Sequence, residues 1–459
     1  MNTGFRGPSI PFRSIHRLIQ SVVSQQTFSF YSRCAVRADF SGGQLSSDAG
    51  LLPLRAFDQR YGLTTGIAQR LLDSRDPQRI DHAILSLLRE RLYAIIAGYE
   101  DGNDADRLRH DPIFQILADC KLGRPLGSQP TLSRWENAVS AGEVLRLNQL
   151  LLDWFVRFCA RQIRRRGEIL LDIDSTADPT YGEQQLSLFN GHYGQTVYHP
   201  LLIFERHSGC LLAVRLRRGN CVSYNRVVPV LGSVLARLRE AFPRVSIRLR
   251  ADAGFAVPDL YELLEKYEVE YAIRFKTHQF LRRRTAALEE TVRKRYQATG
   301  APISVYSSLR HKARRWSCAR RICIQVQYPD DRLPVRCIIT NLDLPAPQVC
   351  EFYNDRGECE NRIAELKNGF HADRLSCHRF VANCFRLVLH SLAYNLVNLF
   401  RLRHLPRPWR SLQIDTLRVR FFKLAARVRR TARCVRVHWA SGWPFQTSFQ
   451  RLAASVNSS

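Results

Sequence analysis

Between Glu168 and Arg274 the chain leaves helical apolar spacing for alternation, and this switch restricts it to a mixed α/β fold. Glu168-Ile-Leu-Leu-Asp-Ile-Asp174 alternates, with Ile169, Leu171 and Ile173 on one face and Asp172 and Asp174 on the other. Tyr198–Glu205 and Leu211–Arg217 read as a hairpin around Arg206-His-Ser-Gly209. Val227–Phe242 has helical spacing, and Val245–Asp252 is again a strand, with Ser246, Arg248, Arg250 and Asp252 on one face. A helix over Val257–Tyr267 and a strand over Glu268–Arg274 complete the series. Asp174 and Asp252 each close a strand and are followed by small or hydroxyl residues. A lone acid at a strand end is most often a turn or cap residue; two of them ask for a chemical reason.

The flanks differ in character. Residues 37–165 are helical, through Leu51–Tyr61, Ile80–Tyr99 and Glu143–Arg164, the last ending in the basic cluster Arg161–Arg166. Within this region Gly127-Ser-Gln-Pro-Thr-Leu-Ser-Arg-Trp-Glu136 opens a short polar helix, with Ser128 as cap and Pro130 in its first turn. Such a helix, following two others, can read a DNA groove with Gln129, Thr131, Ser133 and Arg134, or serve as a plain bundle element. After the α/β series come the basic run Arg282–Arg284 and strands at Ile303–Val305, Trp316–Gln327 and Val335–Asn341, a β-rich segment over 277–349. Phe380–Leu402 is a strongly apolar helix.

Charge narrows the partner. The net charge of +28 over 459 residues asks for a polyanion. Residues 401–459 carry thirteen Arg or Lys against one acid, Asp415, which fits contact with a nucleic-acid backbone. The thirteen cysteines form no C-x-x-C pair, so zinc is not indicated and the thiols are expected to be reduced, in the cytoplasm of a bacterial cell and on its nucleoid. No apolar run is expected to span a bilayer, and no membrane partner is expected. Residues 1–36, with Arg and Ser but no acid, resemble a transit peptide in composition. A disordered basic arm, or translation from an upstream start codon, is the preferred expectation for them.

The stretch Tyr353-Asn-Asp-Arg-Gly-Glu-Cys-Glu-Asn-Arg-Ile-Ala-Glu-Leu-Lys367 carries the clearest chemistry. On an ideal helix, at about 100° per residue, Tyr353, Arg356, Glu360 and Lys367 share a stripe about 60° wide. Cys359, Ile363, Leu366 and Phe370 form a separate apolar stripe, while Asp355, Glu358 and Glu365 project elsewhere. A surface helix with ordinary i,i+4 charge pairs would be the plain reading of this composition. Yet Tyr, Arg, Glu and Lys at these spacings resemble the signature around the third acidic residue of DDE transposases of bacterial insertion sequences, the Y-R-E-K type.

Asp174-Ser-Thr176 resembles the first acidic motif of that family and Asp252-Ala-Gly-Phe255 the second. Asn190-Gly-His-Tyr-Gly-Gln-Thr-Val-Tyr-His199-Pro, with Asp174-Ser-Thr-Ala-Asp-Pro-Thr-Tyr-Gly182, resembles the 1380 group, and the likeness spans most of residues 36–440. The resemblance implies a ribonuclease-H-like catalytic core over 166–276 and 350–404. The core would be interrupted by the β-rich insert 277–349, preceded by a helical DNA-binding domain over 37–165 and followed by a basic C-terminal region, 405–459. It implies that Asp174, Asp252 and Glu360 are catalytic and hold two Mg²⁺ ions, with Mn²⁺ able to substitute, and that Tyr353, Arg356 and Lys367 hold phosphates. Asp172, on the same strand face as Asp174, is the alternative first ligand. His192 and His199 are candidates to assist, although a strand histidine satisfied by backbone is the commoner case. Trp316 lies in the insert, where related enzymes receive a flipped base, but one Trp among strands reads as core. The implied activity is Mg²⁺-dependent cleavage and strand transfer at terminal inverted repeats, on double-stranded DNA, by a homodimer. The rival readings are a non-catalytic DNA-binding remnant and a metal-dependent nuclease of the same fold.

Overall fold

Eight strands build the main sheet of the computed structural model, which describes residues 25–30, 34–328 and 335–458. Most of the basic arm expected at 1–36 lies outside the described residues. A short strand β1 (Leu45–Ser46) precedes the helices α1 (Leu52–Tyr61), α2 (Leu63–Ala68), α3 (Ile84–Ala97), α4 (Pro112–Leu117), α5 (Gln129–Ala138) and α6 (Ala141–Arg166). Then come β2 (Glu168–Ser175), β3 (Leu188–Asn190), β4 (Gln195–Tyr198), β5 (Leu201–Glu205) and β6 (Leu211–Arg215). Helix α7 (Val227–Ala241), β7 (Ser246–Ala251), α8 (Pro258–Lys266) and β8 (Glu270–Phe275) follow, in the order the sequence predicts. Next are α9 (Gln279–Thr299), β9 (Ile303–His311), β10 (Arg320–Tyr328) and β11 (Val335–Thr340). The chain closes with α10 (Ala346–Asn354), α11 (Gly357–Ala364), α12 (Phe380–His404), the ribbon β12 (Ala426–Arg430) and β13 (Val435–Trp439), and α13 (Gln446–Ser458).

The sheet order is β9-β10-β11-β8-β7-β2-β5-β6. The central strands β2, β7 and β8 are parallel, and antiparallel strands flank them on both sides. The strands of the 277–349 segment therefore extend the main sheet. That segment also contains a 21-residue helix, α9, where only strands were expected. Its buried Leu281, Thr285 and Val292 recur at helical spacing inside a run of charges.

Helices close the sheet's exposed edge at β6, where unpaired backbone groups would otherwise invite another strand. Asn148 of α6 accepts the Val214 N–H at 3.0 Å, and Asn395 of α12 accepts the Leu211 N–H and donates to its carbonyl. Helix α6 is set by a capping box in which Ser140 and Glu143 bond each other's backbone N–H. Helix α12 is the axis of the core. Contrary to the sequence expectation, it is long and apolar enough to cross a bilayer, but 78% of its apolar window is buried inside the protein, against α3, α5, α6 and β6.

Candidate active site

Parallel pairing of β2 and β7 runs to the pair Ile173 and Ala251, so the next residues, Asp174 and Asp252, emerge side by side at the same sheet end. Neighbouring strands lie about 4.8 Å apart, which puts two carboxylates at one spot. A backbone N–H orients each: Asp174 Oδ1 accepts from Ser175 at 2.8 Å, and Asp252 Oδ1 accepts from Gly254 at 3.0 Å, capping a 3₁₀ turn over Ala253–Phe255. Burial pushes the Asp174 carboxyl up to about 6, Arg356 opposes that rise, and the neighbouring charge of Asp252 adds to it. A cleft of about 740 Å³ opens beside Asp252, lined among others by Ser175, His192, Tyr193, His199 and Lys276.

Asp172 has a different fate. Its register partner on β7 is Arg250, and the two form a bidentate pair at 2.7 and 2.9 Å with both side chains at most 1% exposed. Arg250 also donates to the Phe352 carbonyl at 2.9 Å and meets Asp355 at 3.2 Å, tying the sheet to α10.

The Tyr353–Lys367 stretch is not the single ideal helix that its spacing predicts. Helix α10 ends at Asn354, α11 begins after Arg356, and Glu365–Gly369 forms a π-turn. Long-range partners explain the breaks: Asp355 is bound by Arg206 and Arg250, and Glu365 by Arg401 and the Ile414 N–H. The apolar stripe holds, with Cys359, Ile363, Leu366 and Phe370 all buried.

Two of the four signature residues, Arg356 and Lys367, nonetheless contact the end of β2. Arg356 lies 2.7 Å from Asp174 Oδ2 and donates to the Ile173 carbonyl. Lys367 donates to the Ala177 carbonyl at 2.6 Å and to Thr176 Oγ1 at 3.2 Å. It also lies 3.3 Å from Asp178 Oδ1, an ion pair without hydrogen-bond alignment. Burial raises Asp178 to about 7 despite Lys367. Tyr353 is half-buried beside the small core of Cys323, Ile338 and Val349, and burial raises its phenol within electrostatic reach of Asp252 and Asp174. Glu360, between Arg356 and Lys367 in sequence, is exposed. Among the described residues no three His, Cys, Asp or Glu side chains stand close enough to hold one ion, so Glu360 does not join the Asp174–Asp252 pair in this arrangement.

The other sequence candidates separate. His199 is buried, with Nδ1 against the Cys221 carbonyl at 3.0 Å, while His192 stacks edge-on to Tyr193 in the cleft. Trp316 is buried among Tyr261, Phe275 and His311, as a core residue. On α5, Trp135 packs edge-on against Phe385 and Glu136 is buried between Arg91 and Arg386. Arg134 is exposed, and Gln129, Thr131 and Ser133 are half-buried. The Ser128 hydroxyl meets Thr131 Oγ1 at 3.0 Å and caps no backbone N–H, in contrast to its expected role.

Residues 28–459 match the family of transposase DDE domains, group 1. The chain belongs to this family. Transposases of this family act on DNA and generally use divalent metal ions. No curated protein matches this transposase. Among solved structures, it is similar to a piggyBac transposase synaptic complex with hairpin DNA at 12% identity and a TM-score of 0.40, over 77% of this chain and 75% of that one.

The donor set of the transposase fits a hard divalent cation in part. Asp174 and Asp252 supply adjacent carboxylate oxygens, and Asp252 Oδ2 has no partner among the described residues. Lys276 and His278, which sequence reasoning missed, line the same cleft from the end of β8. Their signal was topological: β8 runs parallel beside β7, so its C-terminal end falls next to Asp252.

Proposed function

We propose that this transposase binds the terminal inverted repeats of its own insertion sequence and carries out metal-dependent cleavage and strand transfer of double-stranded DNA. The observation that carries the reading is the register that sets Asp174 beside Asp252 at the open end of two parallel strands. Three antiparallel strands followed by two parallel ones, joined through α7 and α8, support a ribonuclease-H-like core. Asp174, Asp252 and Glu360 would hold two Mg²⁺ ions, or Mn²⁺ in their place. When bound, such ions activate a water or 3′-hydroxyl and stabilise the leaving oxygen of an in-line displacement.

The remaining work falls to the chain itself. Glu360 has to approach the aspartate pair, a movement the broken helix α10–α11 can provide at Asp355 and Arg356. Arg356 then exchanges Asp174 for a phosphate oxygen, which its planar fork suits, and Lys367 offers a point charge about three turns further on. Tyr353 orients the same backbone. Gln129, Thr131, Ser133 and Arg134 supply end recognition from α5, and the basic C-terminal region grips the backbone of a duplex held by a homodimer on the nucleoid of the cytoplasm.

Nicking of a DNA carrying the element's flanking repeat tests the reading, wild type beside Glu360→Gln, with and without Mg²⁺. Cleavage at the repeat boundary by wild type alone is the expected result. Equal cleavage by both proteins would mean that another carboxylate completes the site. The non-catalytic reading has one observation in its favour, the separation of Glu360 from the aspartates. Specific binding without cleavage by either protein would establish it.

A further inference from the structure

The ribbon β12–β13 is two-faced. Pairing sets Arg427 opposite His438, Val428 opposite Val437 and Arg429 opposite Arg436. On the inner face Ala426 and Val428 are buried, and Trp439 meets Phe449 of α13 edge-on at 5.2 Å. On the outer face Arg427, Arg429, Arg436 and His438 are all exposed. Facing like charges destabilise an antiparallel pair. Elsewhere the chain neutralises clustered arginines: Arg250 by Asp172, Arg401 by Glu365, Arg91 by Glu136. Here, among the described residues, no carboxylate pairs with Arg427, Arg429 or Arg436. The Arg427 guanidinium lies over Gly43, at φ +82, where an added Cβ would come within 3.3 Å of it, and Arg436 stands by the Cys434 thiol.

We propose that the outer face of this ribbon is a docking surface for the phosphate backbone of duplex DNA, separate from the carboxylate cleft. The repulsion built into the ribbon is relieved when phosphates lie across it. The face offers donors and positive charge, with no Asn, Gln or carboxylate acceptor. That chemistry suits phosphate oxygens rather than the mixed donors and acceptors of base edges, so the contact is sequence-independent. The inner face, packed on α13, holds the ribbon rigid, and β1 pairs with β12 on its other side. The proposal rests on the reading of the chain as a protein that acts on duplex DNA, but not on its catalytic residues.

The test uses the full chain and a random-sequence duplex of about 40 base pairs, titrated by fluorescence anisotropy over a series of salt concentrations. Two variants are compared with wild type: Arg429→Glu, and the triple Arg427→Gln, Arg429→Gln, Arg436→Gln. Both are expected to bind at least about tenfold more weakly near 0.1 M salt, with the log–log salt slope shallower by about 1 in Arg429→Glu and about 3 in the triple variant, one for each lost phosphate contact. Arg429→Glu should melt no lower than wild type, because it places opposite charges across the ribbon at Arg436. Gain or retention of stability with loss of binding is a pair of results that a purely structural ribbon would not give. An unchanged slope in both variants overturns the proposal, as does failure of the wild type to bind the duplex at low salt. If no protein nicks DNA while the ribbon variants still lose slope, the catalytic reading falls and the ribbon stands.

Discussion

Arg356 lies 2.7 Å from Asp174 Oδ2, so a residue read from sequence as a phosphate holder is bound instead to one read as a metal ligand. The guanidinium supplies at Asp174 the positive charge that a metal ion would supply. Metal and Arg356 therefore compete for one carboxylate oxygen. Arg356→Gln is expected to bind Mn²⁺ on the order of tenfold more tightly at pH 8, a modest share of the about 4 kcal/mol that a charge pair near 4 Å carries in a surface-like dielectric. Calorimetric titration with Mn²⁺ measures this. Weaker binding in the variant would mean that Arg356 holds Asp174 in place for the metal rather than opposing it. Nicking should fall in either case, because the fork that takes up the phosphate is gone.

The Asp174 carboxyl, pushed up by burial to about 6, sets a pH window. Metal binding needs the carboxylate, so Mn²⁺ affinity should rise about tenfold per pH unit up to about 6 and level off above it. Folding stability without metal moves the opposite way. A carboxyl that binds its proton more tightly when folded than when unfolded favours the folded state at low pH, and this contribution is lost as pH rises from about 4 through 6. Asp178, raised to about 7, extends the same trend to neutrality. Urea unfolding in chelator at pH 5 and pH 7 tests it, and Asp174→Asn should reduce the difference to the part that Asp178 contributes. An identical difference in that variant would assign the effect to Asp178 alone.

Asp172 and Asp174 share a strand face, and the structure gives each its own arginine, fully buried for Asp172 and nearer solvent for Asp174. Asp172→Asn breaks a fully buried bidentate pair and leaves Arg250 with only the largely exposed Asp355 as counter-charge, which should cost about 3–5 kcal/mol. Asp174→Asn takes the carboxylate from Arg356, which keeps the Ile173 carbonyl as acceptor and lies nearer solvent, so it should cost only about 1–3 kcal/mol while abolishing nicking. Chemical denaturation and the nicking assay on both variants separate them. A destabilised Asp174→Asn beside a stable Asp172→Asn would reverse the assignment.

The parts of this site that were legible in sequence are those governed by local period. Alternation at Glu168–Asp174 and Val245–Asp252 gave the strands and the positions of both aspartates at their ends. Which strand neighbours which depends on partners far away in the chain. For that reason the joining of Ile303–Thr340 to β8, and with it the place of Lys276 and His278 in the cleft, was not legible. The ideal-helix projection of Tyr353–Lys367 captured the buried stripe from Cys359 to Phe370, but not the breaks at Asp355 and Glu365. Those breaks are made by Arg250, at 3.2 Å, and Arg401, at 2.6 Å, residues that no local pattern connects to the stretch. Helix α9 escaped because its apolar stripe is thin and its arginines read as a basic run.

Gly254 shows how narrowly the second aspartate is held. Its N–H anchors Asp252 Oδ1, and a Cβ added there would lie 2.7 Å from Ser223 Cβ, 2.8 Å from Ser223 Oγ and 3.1 Å from Asp252 Oδ1. Something must shift, and buried Arg217 holds the Ser223 loop by its Ser223 and Asn225 carbonyls, so the strain falls in part on the 3₁₀ turn that carries Asp252. Gly254→Ala is therefore expected to displace the carboxylate and lower nicking about 10²-fold, the scale set by misplacing a reacting group by an ångström. Thermal stability should change by only about 1–3 kcal/mol, the usual cost of overpacking. Ser223→Gly in the same chain removes both Ser223 atoms from the clash, so the double variant should recover part of the lost rate. A double-mutant cycle on nicking rates then reads the coupling directly. If the two changes are additive, the loss in Gly254→Ala comes from its contact with Asp252 rather than with Ser223, and the turn is set by the aspartate itself.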